Sequence, residues 1–142
     1  MIGAKNVKGG LVMVSLGLLA GLGMSLYAFE PIVRPPASLD QYDDLPRRLL
    51  RLAHISAIML PLLNVVLGGW IDRLALPVPA KRCASLLLLL GGALVPLALG
   101  LQAVWAPARQ LHLAGGPVVA FCLGVFLVTL GALRTNFRED FP

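Results

Sequence analysis

The stretch ASLLLLLGGALVPLALGLQAVW, residues 84–105, decides the fold. It holds 22 consecutive residues without a charge. As a helix rising about 1.5 Å per residue, it is long enough to cross the roughly 30 Å hydrocarbon core of a bilayer. Three further runs have the same character: Gly10–Phe29, Leu52–Ile71 and Leu111–Leu133. In lipid a segment has no water to satisfy its peptide groups, so each run must close its hydrogen bonds internally as a helix.

Composition agrees with that reading. The 142 residues are 58% hydrophobic and 13% charged, and the mean hydropathy is +0.83. A soluble globular domain is nearer half apolar and a quarter charged. A soluble enzyme, a disordered tail and a disulfide-stapled mini-protein are thereby excluded. The net charge of +5 falls in short clusters beside the apolar runs. That distribution flanks membrane spans and does not line a nucleic-acid groove, so no nucleic-acid partner is expected.

The expected fold is an all-α integral membrane four-helix bundle in a single domain, up-down-up-down, with spans 10–29, 52–71, 84–105 and 111–133. The first run, with Lys5 and Lys8 before it, reads as a retained span and not a cleaved signal peptide. Its apolar part is too long for a signal core, and Leu26-Tyr27-Ala28 is a poor cleavage site. Seven basic residues (Lys5, Lys8, Arg73, Lys81, Arg82, Arg134, Arg138) fall on one side, and five (Arg34, Arg47, Arg48, Arg51, Arg109) on the other. This bias favours both termini in the cytoplasm and a multi-pass protein of the bacterial inner membrane. Tyr27, Phe29, Trp70 and Trp105 lie at the expected span ends, as an aromatic belt would.

The connections are uneven. Ala106–Gln110 is so short that the third and fourth spans form an antiparallel hairpin. The segment 30–51 is long and carries Pro31, Pro35 and Pro36, then Asp40, Asp43 and Asp44, and reads as an extended outer connection. Cys83 and Cys122 sit roughly 15 Å apart in depth, beyond disulfide reach, and are expected to be small, buried and reduced.

The two histidines of the chain carry the candidate chemistry. His54 is the third residue of the second span and His112 the second residue of the fourth, and these spans run in the same direction. Placed diagonally in a bundle, the two imidazoles would face each other at one depth, as six-coordinate haem iron requires. Arg51 and Arg109 each precede a histidine by three residues, so each shares its helix face one turn nearer water, where a guanidinium can pair with a haem propionate. The Arg–His pairs are separated by the same 58 residues. Below His54 lie Ala57, Pro61, Asn64 and Gly68; below His112 lie Gly116, Ala120 and Gly124. Small residues there admit a flat ring, although such stripes equally serve ordinary helix packing, and Gly17, Gly21 and Ser25 form one with no histidine. Asn64 reads as an interhelical hydrogen-bonding residue, Pro61 and Pro96 as kink positions, and Gln102 as a possible wall of a quinone or cofactor pocket.

No carboxylate lies inside a span, which disfavours a proton pump or cation carrier. No Cys-x-x-Cys-His, zinc spacing or phosphate loop is present. The layout resembles that of four-helix b-type cytochrome membrane subunits, a likeness of architecture and not of motif. The expectation is a non-catalytic subunit of a larger membrane complex, with haem b ligated by His54 and His112 and with Arg51, Arg109 and Gly116 around it. It would pass electrons between the quinone pool and a periplasmic carrier or partner subunit. The alternatives are a cofactor-free scaffold subunit, or chlorophyll-type pigment binding through one histidine.

Overall fold

The computed structural model describes residues 1–28, 34, 39 and 43–135, the side chains of residues 27 and 28 excepted. The expectations for Phe29, Glu30, Pro31, Pro35, Pro36, Asp40 and Arg138 lie outside the described residues. Five helices follow one another: α1 (Gly3–Ala28), α2 (Leu45–Ile71), α3 (Val78–Val104), α4 (Ala106–Gln110) and α5 (Gly115–Arg134). No strand occurs among the described residues. All but the five-residue α4 are long and apolar enough to cross a membrane.

The helices finish within one residue of the apolar runs but do not start where they start. α1, α2 and α3 each start six or seven residues before the run that announces them. Hydropathy reports the lipid-immersed part, whereas the helix continues through the interface, where Lys and Arg stems lie along it and their charges reach water. Pro46 and Pro79 occupy first-turn positions of α2 and α3, where the missing N–H would have had no helical acceptor. At α5 the difference is reversed. Residues 111–114 form a turn, and His112 has φ 46°, a left-handed conformation that a non-glycine residue adopts at a cost of about 1–2 kcal/mol. His112 therefore precedes the fourth spanning helix and is not its second residue.

Glycines set the spacing of α1 and α2. Gly3 lies on Gly68, Gly10 on Pro61, Gly17 on Ala57 and Gly21 on His54. Residue numbers rise on one helix as they fall on the other, so the two run in opposite directions. A Cβ on Gly10 would stand 2.7 Å from the Pro61 carbonyl oxygen, so the close approach depends on its absence. α3 meets α2 in the same opposed sense, Gly92 at Asn64 and Gly100 at Ala53; α5 meets α3 with Phe121 at Gly91 and Gly124 at Leu88.

A buried amide cluster ties the first three helices. Asn6 Nδ2 donates to Asn64 Oδ1 at 2.9 Å and to the Ser85 carbonyl at 3.1 Å, the Ser85 hydroxyl donates to Asn6 Oδ1, and Asn64 Nδ2 donates to the Leu88 carbonyl at 2.8 Å. Asn64 thus has the interhelical role its position suggests. Nearby, the Asp72 carboxylate accepts the backbone N–H groups of Ile2 and Gly3 at 3.0 and 3.1 Å, closing the N-terminus of α1. Ile71, Leu74, Ala84, Leu88, Phe121 and Val128 form the apolar core at this end.

The order of packing is a row. α2 packs on α1 and α3, and α5 packs on α3; α5 does not pack face to face with α1 or with α2. Cys83 and Cys122 are free, as expected, but both are exposed and not buried. In a membrane helix both the inward and outward faces are apolar, so hydropathy does not report which way a thiol points.

Candidate functional site

α1 and α3 touch at one end and part towards the other. Their meeting is fixed by the Asn6–Ser85 bonds and by Gly9, where a Cβ would stand 2.9 Å from Leu89 Cδ2. Beyond it a groove of about 750 Å³ opens, with α2 as its floor. Leu16, Ala20 and Met24 of α1 form one wall and Ala93, Pro96 and Leu97 of α3 the other; Ala53, His54, Ala57 and Pro61 lie in the floor. This volume falls within the range of small-molecule pockets, roughly 300–1,000 Å³, which are mostly apolar with few polar groups.

His54 is the polar side chain of the floor. Its imidazole rests on α1: a Cβ on Gly21 would stand 2.8 Å from Nε2 and 3.3 Å from Nδ1. Nδ1 is buried and has no hydrogen-bond partner. Such a group costs about 1–3 kcal/mol relative to one that is bonded, and positions of this kind call for an explanation. Lys8 stands at the closed end of the same groove.

Two prolines in the groove lining add backbone acceptors. Pro61 has no N–H for the carbonyl of Ala57, and Pro96 none for that of Gly92; all four residues line the groove. The Ala57 oxygen lies under Gly17, where a Cβ would stand 2.7 Å from it. Both helices continue through their prolines.

The remaining expected site residues stand elsewhere. His112 is exposed on the turn before α5. Arg109 is committed to α3, its Nε donating to the Gln102 carbonyl at 2.8 Å and its Nη2 to the Ala103 carbonyl at 3.0 Å. These bonds satisfy carbonyls of the last turn of α3, a structural use of the guanidinium. Gln102 is buried and donates to the Ala108 carbonyl at 3.3 Å, so it serves the same turn and does not line the groove. Gly116 is exposed, with nothing within 4 Å of a Cβ built on it. Arg51 is half-buried one turn before His54 on α2.

Both histidines lie near the same end of α3, since Ala53 neighbours Gly100 and Arg109 reaches Gln102. The structure nevertheless does not bring them together: His54 faces α1, and α5 packs on α3, not on α2. Among the described residues no three His, Cys, Asp or Glu side chains gather as a metal site. Sequence reasoning missed Asn6, Ser85, Asp72 and Met24. Asn6 lay just outside the apolar run, and its polarity at the head of a span was the available signal. Compared with known proteins, the sequence matches no family model, and neither a curated protein nor a solved structure is found to be similar to it.

Proposed function

We propose that this chain is a non-catalytic binding subunit of a membrane electron-transfer assembly, in which His54 holds a membrane-soluble ligand in the groove between α1, α2 and α3. The observation that carries the reading is the half-buried imidazole of His54 in the floor of an apolar groove of ligand size, its Nδ1 left without a partner against α1. The chain is read as an up-down-up-down protein of the bacterial inner membrane with both termini cytoplasmic, supported by the opposed contacts of successive helices and the basic bias. Were haem b the ligand, His54 could hold it and a second ligand would have to come from another subunit, because His112 stands on the turn before α5. A cofactor-free scaffold is the second reading. It is favoured by the small residues below His54: Pro61, Asn64 and Gly68 are all buried in helix contacts.

The test is to purify the chain with whatever subunits accompany it. A reduced-minus-oxidised spectrum and pyridine haemochrome assay are recorded, and organic extracts are analysed by mass spectrometry. A bound molecule is expected that is lost in His54→Ala and kept in His112→Ala. A b-type haem lost equally in both variants would restore the two-histidine site and overturn this reading. Absence of any molecule dependent on His54 would leave the scaffold.

A further inference from the structure

We infer that the ligand of the groove is an isoprenoid-tailed quinone, with its ring at His54 and its tail running towards Gly9. The inference rests on the binding role of His54 proposed above and names the chemical class of the ligand. Three features of the groove carry it.

Length is the first. Along α1 the groove extends from Lys8 to Met24, about 24 Å at 1.5 Å per residue. That exceeds one leaflet of a hydrocarbon core of about 30 Å. From Gly21, level with His54, to Gly9 is about 18 Å at 1.5 Å per residue, room for a flexible apolar tail beyond a ring.

Taper is the second. The groove is closed where Gly9 meets Leu89 and Asn6 meets Ser85, and its α3 wall stops at Leu97 while its α1 wall continues to Met24, so it is open at the His54 end. A ring with a narrow tail has that outline. A phospholipid drawn to Lys8 would set its bulky headgroup at the closed end and leave His54 unserved.

Polarity is the third. A neutral imidazole offers one donor and one acceptor. It can therefore donate to a quinone carbonyl or accept from a quinol hydroxyl, and the groove needs no charge to hold either state. The apolar walls of Leu16, Leu97 and Met24 suit the methyl-branched tail. The groove is open to the side, since Leu16 and Leu97 are 61% and 66% exposed, so a ligand dissolved in the bilayer reaches it without crossing water.

The experiment uses the full chain with its accompanying subunits, extracted in mild detergent. Bound lipids are identified by mass spectrometry, and decylubiquinone binding is measured by calorimetry after delipidation. About one isoprenoid quinone per chain is expected. His54→Gln, which retains hydrogen-bonding groups but moves them, should lower decylubiquinone affinity roughly two- to tenfold, the range for one lost hydrogen bond. Ala20→Phe, on the exposed rim of the wall, should displace quinone while leaving helicity and His54 intact. A His54-dependent ligand that proves to be haem or pigment overturns the quinone assignment and leaves the binding role standing. Phospholipid alone in the groove overturns the assignment, as does release of a partner subunit by Ala20→Phe with no quinone present. No His54-dependent ligand of any kind overturns both proposals.

Discussion

Removing Asn64 should loosen the three-helix cluster by an amount that the bonding pattern ranks in advance. In Asn64→Ala two interhelical bonds are lost, the one from Asn6 and the one to the Leu88 carbonyl. Interhelical hydrogen bonds in membranes average about 0.6 kcal/mol and reach about 1.7, so the expected loss is about 1–3 kcal/mol. The lower part of that range is favoured because few groups are orphaned. Asn6 keeps both of its bonds with Ser85, and the Leu88 carbonyl keeps its own helical donor.

Asn6→Ala is different. It removes the bond to Asn64 and both bonds with Ser85, and it leaves Asn64 Oδ1 buried without the donor seen here. Its cost should therefore exceed that of Asn64→Ala, by roughly 1 kcal/mol for each additional bond or stranded acceptor. The assay is reversible unfolding of the full chain in mixed detergent micelles, followed by far-ultraviolet circular dichroism. The double variant closes the cycle. Because the two side chains are in direct contact, a coupling of about 0.6–1.7 kcal/mol is expected between them. A coupling indistinguishable from zero, or an Asn64→Ala loss larger than that of Asn6→Ala, would refute the assignment of the cluster as the tie between α1, α2 and α3.

Two further outcomes follow from the packing. Gly10→Leu should force α1 off α2, because the Pro61 carbonyl and the Val65 N stand 2.7 and 3.2 Å from any Cβ there; Gly23→Leu, with nothing within 4 Å, should be nearly neutral in the same unfolding assay. His112→Gly should raise stability by up to about 1 kcal/mol by relieving the positive φ, and it should leave any bound ligand in place; a loss of ligand would show that His112 takes part in binding.

Much of the architecture was legible because lipid leaves so few choices. A charge-free run of some 20 residues must be a helix, and all four spans announced themselves in this way. Their starts did not, because helix and hydropathy begin for different reasons: α2 carries Arg47, Arg48 and Arg51 in its first two turns, where the chain is helical but already at the interface. Residues 111–114 show the opposite failure. They are apolar enough to extend a span, yet the chain turns there, and no hydropathy window registers a positive φ at His112. His54 was singled out as a polar residue of the second span, and it lies in the floor of the groove. Its surroundings were not legible, since they depend on Gly21 of a different helix. The matched Arg–His spacing did not reveal that Arg109 closes the end of α3.

The separation of the two histidines and the presence of the groove have one cause. In a closed bundle of four successive antiparallel helices, the fourth lies against the first and third and stands diagonally across from the second. That position would set α5 over the floor formed by Ala53, His54 and Ala57. Here α5 instead packs on α3 through Phe121 and Gly124, and it does not pack on α1. The slot that the fourth helix would have filled is therefore left between α1 and α3, and His54 stands in its floor. The displacement that takes His112 away from His54 is the same one that opens the groove beside it. The groove of this chain thus presents one histidine among apolar walls, whereas holding iron from both faces takes two ligands.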